Sequence, residues 1–305
     1  MFYKVFIEKW EQIKAISTKS SAYVFRGHKE REWELKPTLE RAANKFYMNN
    51  SQLFGHEYLI LREFQSVAGQ YLNKLPNNKN LLEWYSLLQH YGAPTRLLDF
   101  TRSIYVAAFF AFESSCNESV IWGLNHQRLD EFLYNKLLKE HNYKLRNLIF
   151  LDYKIDIANK ILNYENQQLV QKTREEIFCN KDMIFTVDCS RKNIRHHIQK
   201  SVFLIPSSLE RSFTEILTEQ FDFKFSELTE DNAESITFEE LYNKRLNYET
   251  CLFKLVIPKE VSLEGLYDLN NMNINALTLF PGLDGFARSL NLIMRNMERV
   301  SLKNY

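Results

Sequence analysis

The chain has 305 residues, 45% of them hydrophobic, enough for one large core or two smaller ones, and a formal net charge of +1. The balance of 39 basic against 38 acidic residues excludes a global attraction to nucleic acid or to an anionic membrane surface. Cys116, Cys179, Cys189 and Cys251 have no CxxC or metal-type spacing, the N-terminus lacks a charged-then-apolar leader, and no run approaches the roughly 20 apolar residues of a membrane span. The expectation is therefore a soluble, cytoplasmic protein with reduced thiols, no membrane partner and no metal.

Residues 1–20 read as helical. Ala22-Tyr23-Val24-Phe25 is a β-rich run that stops at Arg26-Gly27-His28, so a strand ends in a cation. Residues 51–74 read as a long amphipathic helix that stops before Pro76. Asn80, with Glu83 three residues on, marks the next helix start, and Leu81, Leu82, Trp84, Tyr85, Leu87 and Leu88 recur at a helical apolar period. That helix ends near His90, because Gly92 is free to turn left-handed and Pro94 forbids continuation. Arg96 to Thr101 reads as a short buried strand or extended turn, and Ser103 to Phe112 as a largely buried helix capped by Thr101 or Ser103.

From about 125 to 180 the chain is rich in Leu, Asn, Lys and Glu with helical periodicity, which suggests a helical insertion within a single domain spanning 1–305. Three short strands follow, at Met183 to Val187, Val202 to Ile205 and Leu252 to Ile257, two of them closed by Pro206 and Pro258. The acidic segment 226–240, which includes Glu230 and Asp231, reads as a solvated loop or helix start. Thr278 to Gly285 is a turn-rich motif opening a final helix of Phe286, Leu290, Ile293 and Met294, which Asp284 either caps or uses to orient a catalytic group.

The densest chemistry lies in Gln89 to Thr101. A buried Arg or Asp is costly unless paired, so Arg96 and Asp99 face each other, a ligand, or both; the plainer alternative is a structural ion pair that pins the turn. His90 suits a proton carrier near neutral pH, and Tyr91, beside Gly92 and Pro94, offers an exposed ring. Trp33, Trp84 and Tyr105 read as core or cleft-wall packing. Arg191, Lys192, Arg195, His196, His197 and Lys200 form a basic run, either a solvated face or a local nucleic-acid patch. A metal hydrolase built on His196, His197 and Asp188 runs against geometry, since adjacent side chains diverge on any regular element.

Phe25-Arg26-Gly27, the His90 to Thr101 segment and Thr278 to Gly285, in that order, resemble the FRG domain family over nearly the whole chain. Asn193, Arg195, Gln199 and Phe203 are similar to a further pattern of that family, with Ser201 where a Gly is common. Through it the chain resembles divergent ADP-ribosyltransferases. The resemblance implies an α+β fold with an ADP-ribosyltransferase-like split β-sheet core, flanking helices and a helical insertion, and NAD in a cleft. It implies an Arg26 contact to NAD, a second motif in Asp99-Phe100-Thr101 with Ser103 and Tyr105, and a third-motif position at Gln199 where such enzymes carry Glu. Cleaving the nicotinamide bond passes through an oxocarbenium-like ribose that a carboxylate stabilises. Gln supplies no charge, so in an active enzyme a carboxylate from elsewhere, with Asp99 and Asp284 as candidates, takes that role or the mechanism does without it. The candidate catalytic residues are thus Arg26, His90, Asp99, Thr101 and Gln199. The candidate NAD-binding residues are Arg26, Gly27, Tyr91, Arg96, Thr101, Ser103 and Tyr105. The implied activity is NAD-dependent transfer of ADP-ribose to an RNA or protein acceptor, as a bacterial toxin or anti-phage effector with an antitoxin or inhibitor protein as partner. The alternative is a non-catalytic NAD- or nucleotide-sensing module.

Overall fold

The computed structural model describes residues 1–141, 147–189, 194–229, 233–246 and 250–293. Arg191, Lys192, Asn193, Glu230, Asp231 and Met294 lie outside the described residues. The chain opens with strand β1 (Phe2–Phe6) and helix α1 (Trp10–Ser17), followed by β2 (Tyr23–His28), α2 (Thr38–Lys45), α3 (Asn50–Ala68), α4 (Leu81–His90), β3 (Leu98–Thr101), α5 (Ile104–Phe112) and β4 (Ser119–Asn125). Helices α6 (His126–His141), α7 (Asn147–Ile161) and α8 (Gln167–Glu176) occupy the segment of helical periodicity between β4 and the next strand. After it come β5 (Ile184–Val187), α9 (Ile194–Ile198), β6 (Ser201–Pro206), α10 (Phe213–Phe221), α11 (Phe225–Thr229), β7 (Glu234–Ile236), α12 (Phe238–Glu240), β8 (Leu252–Ile257), α13 (Lys259–Asn271), α14 (Ala276–Leu279) and α15 (Leu283–Ser289).

The eight strands make one mixed sheet in the order β5-β6-β3-β2-β4-β8-β1-β7, with β1 parallel to both β7 and β8 and the other pairs antiparallel. The fold is α+β, a mixed sheet flanked by helices. Alternation along each strand divides its side chains between two faces. One face is covered continuously: Val24, Leu98, Val120, Leu124, Val202 and Leu204 pack with Phe213, Ile216 and Leu217 of α10. The other face carries two separate cores. Tyr23, Phe25, Ile121, Phe253 and Leu255 pack under α1, α5 and α13. Phe185, Val187, Phe203 and Ile205 pack under α4 and α7.

Three expectations change here. Residues 1–20 are not all helical: Tyr3 and Val5 alternate with Lys4 and bury in the sheet, so period-2 packing takes Phe2–Phe6 as a strand and leaves only Trp10–Ser17 to the helix. The long helix ends at Ala68 rather than 74, and the acidic stretch contributes strand β7, which pairs with β1 at the sheet edge. Strand β4, buried along its whole length between β2 and β8, has no counterpart in the sequence reading.

Helices α6 and α7 are tied to the sheet by a buried polar knot. Lys154 Nζ of α7 donates to Asp130 Oδ2 of α6 and to Thr186 Oγ1 of β5, each at 2.7 Å, and the Thr186 backbone N–H reaches Asp130 Oδ1 at 3.0 Å. Mutual satisfaction of this kind is what makes a buried ion pair tolerable.

Candidate functional site

The sheet is weakest where β2 meets β3. That junction is paired at one position, Phe25↔Thr101, whereas β2 pairs with β4 at six and β3 with β6 at four. The two cores of the split face meet at this seam, and a cleft of about 460 Å³ opens there, within the size range of small-molecule sites. One wall is Phe25, Gly27, Ala107, Phe110 and Phe280; the other is Gln89 and His90 at the end of α4, with Arg195, His196 and Gln199 from α9 and its exit.

Local backbone rules put the polar groups there. Gly27 packs against α5 so closely that a Cβ would meet the Ala107 carbonyl oxygen at 2.0 Å, which leaves glycine as the one residue that fits. Helix α4 ends in a Schellman turn: the Ala93 N–H bonds the Leu88 carbonyl, the Gly92 N–H bonds the Gln89 carbonyl, and Gly92 has φ +89°. The turn leaves the last two helical side chains, Gln89 and His90, in the cleft wall. Gln89 Nε2 donates to Asp99 Oδ2 at 2.5 Å, while its Oε1 accepts from Thr95 Oγ1.

Arg26 alternates to the side opposite Phe25 and Gly27, and the open seam lets its guanidinium reach the cleft. Its Nε donates to His28 Nε2 at 2.9 Å and its Nη1 to the Asp99 carbonyl oxygen at 2.6 Å. The Arg26 bond requires an acceptor at His28 Nε2, so the proton sits on Nδ1, which donates to the Trp33 carbonyl at 3.1 Å. Burial, then the Arg26 charge, hold His28 neutral with a pKa lowered to about 3. Burial also brings Arg26 down to about 10, with Asp99 opposing, so it stays cationic at neutral pH.

Asp99 is open to the cleft, yet the protein around it removes enough water to push its carboxyl upward, with Arg26 and the Gln89 amide pulling it back. His90 is moved down by burial and by Arg195, with Asp284 opposing. Among the described residues lining the cleft, Asp99 is the one carboxylate, against the cations Arg26, Lys29 and Arg195. The cleft therefore suits an anionic ligand with an aromatic part, given Phe110, Phe280 and Trp33 in its walls.

The candidate residues divide. Arg26, Gly27, His90, Asp99, Thr101 and Gln199 all line the cleft. Thr101 and Gln199 are nevertheless occupied: Thr101 Oγ1 donates to the Gln199 carbonyl at 2.7 Å, and Gln199 Nε2 donates to the Leu279 carbonyl at 3.0 Å. Arg96 does not face Asp99 or the cleft. It is 1% exposed and pairs with Glu57 of α3, 0% exposed, through Nε–Oε2 at 2.7 Å and Nη2–Oε2 at 2.5 Å, because only a buried carboxylate offsets its desolvation. Ser103 caps α5, accepting from the Val106 N–H. Tyr105 packs on Trp10 and bonds Ser17 at 2.9 Å. Tyr91 is exposed but stands outside the cleft, edge-on to His90. Asp284 is neither cap nor cleft group: Gly282 holds the cap position, and Asp284 pairs with Arg195 at 3.0 Å.

His28 and Lys29 entered no site reading of the sequence, Gln89 and Phe280 lay inside its two motif segments without a role of their own, and Trp33 was read as core or cleft-wall packing. Only the adjacency of His28 and Lys29 to Arg26 could have flagged them. Asp188 of the metal-hydrolase reading is held by Arg102 at 2.7 and 3.2 Å, and no cluster of three metal-type ligands occurs among the described residues. No helix among them is long and apolar enough to cross a membrane.

No curated protein and no solved structure matches the chain. A family match does exist, and it covers β2 through the first residue of β4, the stretch that supplies Arg26, His28, Trp33, Gln89, His90 and Asp99. Residues 21–119 match the FRG domain family.

Proposed function

We infer that the cleft binds NAD and transfers its ADP-ribose to a macromolecular acceptor, RNA or protein, in the manner of divergent ADP-ribosyltransferases, with toxin or anti-phage activity as the biological output. The observation that carries the reading is a guanidinium, Arg26, held by the Asp99 backbone carbonyl beside the carboxyl group of the same residue, the one carboxylate among the described residues lining the cleft, across an open sheet seam. In this reading Arg26 holds the pyrophosphate by charge-assisted hydrogen bonds. As the bond from ribose C1′ to the nicotinamide nitrogen breaks, that nitrogen keeps the electron pair, and Asp99 stabilises the positive charge left on the ribose. The acceptor's nucleophile then bonds C1′ and gives its proton to His90, whose depressed basicity leaves it neutral and ready to accept.

Gln199 contributes position rather than charge. Its amide is committed to Leu279, which makes Asp99 the source of negative charge. That same commitment, with the Thr101 hydroxyl bonded to backbone, favours a second reading: a nucleotide-sensing module that binds NAD without turnover.

Incubating the full chain with radiolabelled NAD and separate RNA and protein fractions distinguishes the two. Transfer that disappears in Arg26→Ala and Asp99→Asn supports the enzyme; calorimetric binding with no released nicotinamide supports the sensor. Growth arrest on induced expression, relieved by Arg26→Ala, tests the toxin output.

A further inference from the structure

The sequence has four tryptophans, and three of them are core: Trp10, Trp84 and Trp122 are 1–2% exposed. Trp33 is 44% exposed and lines the cleft. Its position is not left to a loose loop. His28 Nδ1 bonds the Trp33 carbonyl while His28 Nε2 accepts from Arg26 Nε, so one buried neutral imidazole couples the two residues. The indole stands edge to the imidazole, 6.0 Å between centroids, and Lys29 brings its Nζ to 5.4 Å from the indole centroid. An exposed π-surface beside two cations is the chemistry that recognises an aromatic base attached to phosphate.

We propose that Trp33 and Arg26, coupled through His28, form a nucleotide-binding unit in which the indole stacks the base and the guanidinium binds the phosphate. The proposal rests on the NAD reading of this cleft and specifies which residues select the ligand. His28 acts as a positioning residue and touches no ligand. A base-free sugar phosphate has nothing to stack and binds poorly. The unit takes either end of a dinucleotide, so mononucleotides tell the adenine end from the nicotinamide end.

Because Trp33 is the exposed tryptophan, intrinsic fluorescence reports on it directly. The full chain is titrated with NAD, AMP, nicotinamide mononucleotide and ribose 5-phosphate, with calorimetry in parallel. The expected result is saturable quenching by NAD and by at least one mononucleotide, and little response to ribose 5-phosphate. Trp33→Leu weakens NAD binding about tenfold or more, as loss of one stacked base does, whereas Trp33→Phe stays within about threefold, with circular dichroism unchanged in both. Equal NAD affinity in Trp33→Leu, or ribose 5-phosphate binding as tightly as AMP, overturns the proposal. Quenching by AMP without binding of NAD overturns the NAD reading and leaves the nucleotide unit standing; binding of neither overturns both.

Discussion

Arg26 and His28 stand two residues apart on one strand, and the Nε of the first donates to the Nε2 of the second at 2.9 Å. This bond exists only while His28 is neutral. The His28 pKa of about 3 in the folded chain lies below the ordinary 6.5, so the unfolded chain binds a proton that the folded one rejects. The contribution is complete above about pH 6.5 and is lost as pH falls from there toward 3, at up to about 1.4 kcal/mol per pH unit. His90 and His126 are also depressed and add to the same slope. His28→Gln should therefore show a shallower fall in stability between pH 6.5 and 4 than the parent in urea denaturation. An identical slope in the two proteins would remove His28 from this account.

The Arg96–Glu57 pair predicts a stability defect without a ligand defect of its own. Arg96→Met leaves the Glu57 carboxylate buried and unpaired, which costs about 3–5 kcal/mol. Adding Glu57→Leu to that variant removes the orphaned charge and should recover most of the loss. Chemical denaturation of the two single variants and the double measures it, and a double variant no more stable than Arg96→Met would contradict the pairing.

Gly27 makes a different prediction, since its constraint is contact and not conformation. In Gly27→Ala the new Cβ meets backbone of α5, which cannot rotate away as a side chain would. Overpacking of this kind costs about 1–3 kcal/mol, and widening the β2–α5 spacing displaces Arg26 as well. Both a lowered midpoint in denaturant and a weakened NAD titration are expected; unchanged values in both would show that α5 yields.

What the sequence made legible was local. Asn80 and Glu83 marked the start of α4, Gly92 and Pro94 marked its end, and Ser103 marked α5, because caps and turns act within a few residues. The Arg96 partner was not legible, since Glu57 lies 39 positions earlier on a helix whose charged residues otherwise look solvated. The placement of Gln89 against Asp99 follows from a Schellman turn, and the cleft itself from a seam one residue pair wide. Neither leaves a compositional mark. Strand β4 escaped because Ser119 to Asn125 is buried on both faces and so shows no alternation.

Asp99 carries the prediction with the plainest chemical readout. Asp99→Asn keeps the shape and an acceptor for the Gln89 amide but removes the charge that, in the proposed reaction, steadies a cationic ribose. Transfer should fall about 100-fold or more, while NAD affinity changes only a few-fold. The parent's pH profile is linked to it. Since the Asp99 pKa is raised in the folded chain, the carboxylate is lost on acidification at a higher pH than an ordinary aspartate, and transfer should decline correspondingly early. An acid limb at the ordinary aspartate value, or equal rates in Asp99→Asn, would move the catalytic charge elsewhere.

Gln199→Glu is the reciprocal test, because on the proposed reading it places at the third-motif position the acid that ADP-ribosyltransferases carry there. The Gln199 amide donates to the Leu279 carbonyl, and a carboxylate there would face that carbonyl with no proton to give. The site is mostly buried, so losing the donor costs about 1–3 kcal/mol and loosens α14 together with Phe280, which forms part of the cleft wall. The expected outcome is a less stable protein with no gain in transfer. A Gln199→Glu variant that transfers ADP-ribose faster than the parent would mean that the carboxylate turns away from Leu279 into the cleft, and that Asp99 serves to position Gln89 rather than to carry the charge.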